Sequence, residues 1–132
     1  MSLTEQSRIV ALRYLKAVTD GDVETMDRLQ HRDAHWWVLG GGTMSRETFM
    51  GLVRSMFATI TDRTITVTGM TIEGERVAIE LEGEMTLPDR IYRNSYHNLL
   101  IVRDGLIVEG KEYMDTLAVA QAFGGGDAIA AA

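Results

Sequence analysis

The chain contains no cysteine, a single proline (Pro88) and no apolar run near the ~20 residues that a bilayer-spanning helix needs. The first absence excludes disulfides and thiolate metal sites. The opening MSLTEQSRIV lacks the basic flank and long apolar stretch of a secretory signal, so a cytoplasmic location is expected, with no membrane partner. Basic residues are in deficit: 13 Lys plus Arg against 19 Asp plus Glu give a net charge of −6, and the cations are scattered singly. That balance argues against a nucleic-acid partner. His31, His35 and His97 lack metal-ligand spacing with carboxylates, so no metal is expected. There is no G-x-S-x-G, no P-loop and no dinucleotide fingerprint, and Gly40 to Gly42 precedes a helix without the Lys and Ser of a phosphate cradle. Nucleophilic-serine and nucleotide chemistry find no support, and no cofactor is expected.

What remains is 132 residues, 45% of them hydrophobic, enough for one core without staples. A single domain over residues 1–123 is expected, followed by a Gly/Ala-rich tail, residues 124–132, that should bury little. Ile9, Val10, Leu12, Tyr14, Leu15 and Val18 recur at helical spacing, predicting a helix over Leu3 to Val18. Asp22 can cap a second helix, Val23 to about Gln30. A short strand, Ala34 to Leu39, should end in a loop at Gly40 to Gly42, and a third helix should run from Ser45 through Ile60.

From Thr61 the period changes to two. Val77, Ile79, Leu81, Gly83, Met85 and Leu87 alternate with Glu80, Glu82 and Glu84, a strand with one buried and one wet face. Flanking strands are expected over Thr64 to Ile72, Ile91 to Arg103 and Leu106 to Asp115, the last two joined by Asp104-Gly105, with a short helix from Thr116 to Phe123. Helices followed by a run of strands predict an α+β fold: a curved antiparallel sheet wrapped around the N-terminal helices, leaving a cone-shaped pocket.

Strand parity selects the polar residues that face this pocket. If Leu106 and Val108 point inward, so does Glu112, while Glu109, Lys111 and Tyr113 point outward. Desolvation would raise the pKa of such a carboxyl and suit it to general acid or base work; the alternative is a hydrated or Arg-paired group at the pocket mouth. Asn94, Tyr96 and Asn98 share one row with Tyr92, able to orient a ligand or to form a satisfied buried network. Tyr14 and Trp36 line the cavity or pack in the core, and the methionines, Met56 and Met85 among them, suit a pocket for an apolar ligand.

The element order, with the segment RNSYHNLLIVRDGLIVEGKEYMDT, resembles the SnoaL-like branch of the NTF2-like (ketosteroid-isomerase-like) superfamily from Ser7 to about Phe123. The markers are Tyr92-x-Asn94-x-Tyr96, the Asp104-Gly105-x-Ile107 turn and Glu112-Tyr113-x-Asp115. The resemblance implies a homodimer through the outer sheet face, where Arg93, His97, Leu99, Ile101, Ile107 and Tyr113 would lie. Tyr14 matches the oxyanion-hole tyrosine of steroid isomerases, whereas Val38 stands where their general base is an Asp and Asn98 where their second oxyanion acid would be. The water-activating triad of limonene-epoxide-hydrolase relatives falls on Leu81, Gly83 and Glu112, so one acid of it survives. Glu112 also matches the acid of phenazine-biosynthesis A/B-type proteins.

The expected function is a small-molecule enzyme acting on an apolar or cyclic ligand, of isomerase, cyclase, dehydratase or hydrolase type. Glu112 and Tyr14 would be its catalytic residues, and Trp36, Val38, Met56, Leu81, Met85, Asn94, Tyr96 and Asn98 its binding residues. The alternative is a noncatalytic small-ligand-binding or dimerisation domain of the same fold.

Overall fold

Ser2 opens the first helix, α1 (Leu3–Asp20), with a capping box: its hydroxyl accepts from the Glu5 N–H at 3.1 Å and its own N–H donates to the Glu5 carboxylate at 3.3 Å. The helix stops at Gly21, whose φ of +67° suits a residue without a β-carbon. Asp22 then caps α2 (Val23–Arg28). The structure, a computed structural model, describes residues 1–124; the expectation for the tail beyond Gly124 lies outside them.

Six strands follow the two helices: β1 (Gln30–Val38), β2 (Gly42–Ser45), β3 (Asp62–Glu73), β4 (Arg76–Thr86), β5 (Ile91–Arg103) and β6 (Leu106–Met114). The helix α3 (Arg46–Phe57), capped by Ser45, separates β2 from β3, and α4 (Thr116–Phe123), capped by Asp115, follows β6. The strands form one curved, unclosed sheet in the order β2-β1-β6-β5-β4-β3. The run from β3 to β6 is antiparallel, as the sequence implies. The sheet as a whole is mixed, because β1 pairs with β6 in parallel.

Several boundaries differ from the expected ones for local reasons. The second helix ends at Arg28, because Gln30 begins β1 and turns its side chain into the core to accept from the Trp36 indole N–H at 2.8 Å. Gly40 to Gly42 is a tight hairpin into β2 rather than an open loop, with Gly40 and Gly42 both at positive φ. The third helix ends at Phe57, three residues early, and β6 ends at Met114, leaving Asp115 to cap α4.

The largest correction concerns strand parity on β6. Ile101 pairs with Glu109 but Val102 pairs with Ile107, so Val108 is an extra residue at a bulge. The inward row of β6 is therefore Ile107, then Gly110, Glu112 and Met114, not Leu106 and Val108. Ile107 is fully buried at 0% exposure and Ile101 is 9% exposed, so neither belongs to an exposed outer patch. Glu112 still faces inward, because the bulge lies before it.

The core sits between the inner sheet face and α1 and α3. Val10, Ala11, Tyr14 and Ala17 form the buried face of α1, and Phe49, Met50, Val53 and Phe57 that of α3. Trp36 joins the two, stacked on Phe49 at 4.1 Å and 4° and on Tyr14 at 5.7 Å and 26°.

Candidate active site

Between the helices and the sheet lies a cavity of about 80 Å³. Tyr14, Leu15 and Val18 from α1 and Phe49, Val53, Met56 and Phe57 from α3 form one wall, with Met26 of α2. Ile65, Leu81, Met85, Tyr96, Asn98 and Glu112 on successive strands form the other. Among the described residues Glu112 is the one acidic residue in this lining, in an otherwise largely apolar chamber.

The register explains how Glu112 reaches the chamber. It sits between Asn98 on β5 and Val38 on β1, and its backbone carbonyl accepts from the Leu39 N–H at 3.0 Å. The residue keeps accessible surface where it borders the cavity, yet protein encloses the carboxyl group, and its Oε2 has no hydrogen-bond partner among the described residues. Burial pushes its pKa up to about 8, with no cation nearby to oppose the shift. Near neutral pH the group is thus mostly a neutral acid with an accessible ionised form.

Two tyrosines accompany it. Tyr14 is held well above the usual phenol range by burial and, secondarily, by the Glu112 charge. Burial also raises Tyr96, with smaller contributions from Tyr92 and Glu112. Both phenols are therefore neutral O–H donors at physiological pH. Asn98 uses its Oδ1 to accept from the Tyr113 N–H at 3.3 Å, and its Nδ2 makes no bond among the described residues.

Of the ten residues expected from sequence, the structure brings seven together on the cavity: Tyr14, Met56, Leu81, Met85, Tyr96, Asn98 and Glu112. Trp36, Val38 and Asn94 do not border it. Trp36 is sealed between Tyr14 and Phe49, and Val38 is fully buried within the sheet. The Asn94 amide is committed to the Ser95 and Asp115 backbone and to the Tyr92 hydroxyl. Sequence reasoning missed Leu15, Val18, Met26, Phe49, Val53, Phe57 and Ile65 as lining residues. Most of them carry a signal, the apolar stripes of α1 and α3, but that stripe does not separate cavity wall from core. Among the described residues no group of three or more His, Asp or Glu side chains is arranged to hold a metal ion, and no helix is long and apolar enough to cross a membrane.

No curated protein matches the chain by sequence. Solved structures do match its fold. IdmH from Streptomyces antibioticus, a proposed polyketide cyclase, is 24% identical, with 91% of this chain and 99% of that one covered and a TM-score of 0.75. A limonene-epoxide-hydrolase-like epoxide hydrolase from M. tuberculosis is 17% identical over 89% of each chain, with a TM-score of 0.77. BvnE pinacolase from Penicillium brevicompactum is 16% identical over 98% of this chain and 94% of its own, with a TM-score of 0.83. Residues 11–110 match the SnoaL-like domain family over most of the strands and helices that build the cavity, and the chain is a member of that family.

Proposed function

We propose that the protein is a small-molecule enzyme in which Glu112 moves a proton on an apolar, cyclic ligand held in the cavity, in a reaction of isomerase, cyclase, dehydratase or hydrolase type. The observation that carries this reading is an unpaired, enclosed carboxyl group with a pKa of about 8 among apolar walls. Structural carboxylates are ordinarily paired or hydrated, because an ionised buried group is costly; groups tuned toward neutrality are characteristic of acid–base sites. The two neighbouring phenols and Asn98 orient the ligand. The three fold neighbours, named as a proposed cyclase, an epoxide hydrolase and a pinacolase, support an enzymatic use of the same architecture.

The protein works as a cytoplasmic homodimer through the outer sheet face, where Trp37 packs on Tyr113 with ring centroids 5.0 Å apart. A second reading, a noncatalytic ligand-binding domain, draws support from the presence of one acid in the lining where relatives with a water-activating triad use two. Glu112→Gln decides between them, because it keeps volume and hydrogen-bonding reach but removes proton transfer. On a substrate found by screening, turnover should fall ~10²- to 10⁴-fold with ligand affinity much less changed. Full turnover in the Gln variant would leave the binding-domain reading standing.

A further inference from the structure

Beside the cavity runs a chain of hydrogen bonds whose direction can be worked out atom by atom. Asn94 Oδ1 accepts from two backbone N–H groups, those of Ser95 at 2.8 Å and Asp115 at 3.0 Å. That fixes the other amide atom as NH₂, and it donates to the Asp115 carbonyl at 2.9 Å and to the Tyr92 hydroxyl at 2.7 Å. Tyr92 is 3% exposed, does not border the cavity, and among the described residues has one remaining neighbour for its proton: the Tyr96 oxygen, 2.7 Å away. Were Tyr96 to donate to Tyr92 instead, the Tyr92 proton would be buried with no acceptor among the described residues, an expensive arrangement. The chain therefore runs Asn94 to Tyr92 to Tyr96. Tyr96 accepts, and its own O–H has no other partner among the described residues, on a side chain that lines the cavity.

The supports of this chain come from the end of β6 and from α4. Asp115, which anchors Asn94 through both backbone groups, is also the N-cap of α4. Phe123 at the far end of that helix packs edge-on against the Tyr92 ring at 5.1 Å. Helix α4 thus holds a donor direction at a wall it does not itself touch.

From this geometry we propose that Tyr96 is the oriented O–H donor of the cavity, with Tyr92 and Asn94 as its positioning residues, and that the ligand is an apolar ring compound bearing a carbonyl oxygen that this O–H binds. The proposal rests on the reading that the cavity is the ligand site, and it adds the ligand's chemistry and a second polar contact besides Glu112. A polarised chain strengthens its terminal donor, so the three residues act as a unit.

The test uses 1-indanone and indane, which share a shape and differ in the oxygen. Calorimetric titration of the intact protein should show the ketone bound roughly 3- to 10-fold more tightly than the hydrocarbon. The infrared C=O stretch of bound indanone should lie below its value in an apolar solvent. Tyr96→Phe, which keeps the ring packing, should abolish both the preference and the shift. Tyr92→Phe should reduce the shift while leaving Tyr96 in place, an outcome that loss of packing alone does not give. Glu112→Gln should retain the shift. Equal affinity for the two probes, absence of binding by both, or a shift that survives Tyr96→Phe overturns the proposal. A shift that disappears in Glu112→Gln alone overturns it too, by assigning the donor to Glu112. Loss of the acid–base reading registers separately, as full turnover of substrate by Glu112→Gln.

Discussion

The ring of Trp36 lies over the α-carbon of Gly110, so closely that a β-carbon at position 110 would overlap its Cζ3, Cε3 and Cη2 atoms. Gly110 is on β6 two residues before Glu112, and Trp36 stacks on Tyr14, so this contact sets the spacing between the strand that carries the acid and the helix that carries its phenol neighbour.

Gly110→Ala should therefore destabilise the fold, because Trp36, 1% exposed, is stacked between Phe49 and Tyr14 and is bonded through its indole N–H to Gln30. Overpacking of this kind costs about 1–3 kcal/mol. Urea denaturation checks it, and an unchanged midpoint would show that the sheet yields more easily than the packing implies.

Glu112 makes stability depend on pH in an unusual direction. Its pKa is about 8 when folded, against 4.5 for an unhindered Glu, so between these values the unfolded chain has released a proton that the folded one retains. The contribution of this group to stability is thus intact below pH 4.5, declines as pH rises toward 8, and is level above that. The full span amounts to at most ~3–5 kcal/mol. Glu112→Gln should remove the decline and be more stable than the parent at pH 9. Thermal unfolding from pH 5 to 9 tests this, and parallel curves for the two proteins would contradict it.

The sequence carries the fold well wherever one face of an element meets water. The Glu80, Glu82, Glu84 row against Val77, Ile79 and Leu81 makes β4 plain, and the Asp22 cap marks the start of α2. It is silent on β2, whose four residues are half exposed and have no period to read. It is silent too on the parallel pairing of β1 with β6, since a strand's own pattern does not encode its partner's direction. The inward placement of Glu112 is correct in outcome but not in premise: the bulge at Val108 breaks the parity that pointed to it. Asn94 shows a different limit. Its alignment with Tyr96 is visible in sequence, but the backbone of Asp115, which consumes its amide, comes within reach only through the β5–β6 register.

The outer sheet face supplies the third prediction. Arg93 and His97 are exposed, Tyr113 is 40% exposed, and Leu99 and Trp37 are part-buried in the single chain, while Glu80 and Glu82 flank them on β4. This mixture of aromatic and amphipathic groups fits a protein interface better than bare solvent. Sedimentation should report a dimer at micromolar concentration, and Leu99→Glu should shift it toward monomer. A parent protein that sediments as a monomer would sink the idea.

The pH profile of the reaction separates the two roles open to Glu112. As a general base it must be ionised, so kcat/KM should climb about tenfold per pH unit up to a plateau above about pH 8. As a general acid it must be protonated, so the plateau lies below that value and the rate falls above it. Tyr14 and Tyr96 do not confuse the assignment, since burial holds both well above the ordinary phenol range and neither ionises near pH 8. His31, His35 and His97 are absent from the cavity lining. In Glu112→Gln the residual rate should lose this titration altogether. A profile flat from pH 6 to 10 in the parent, or a titration near pH 8 that persists in the Gln variant, would move the proton-transfer role away from Glu112.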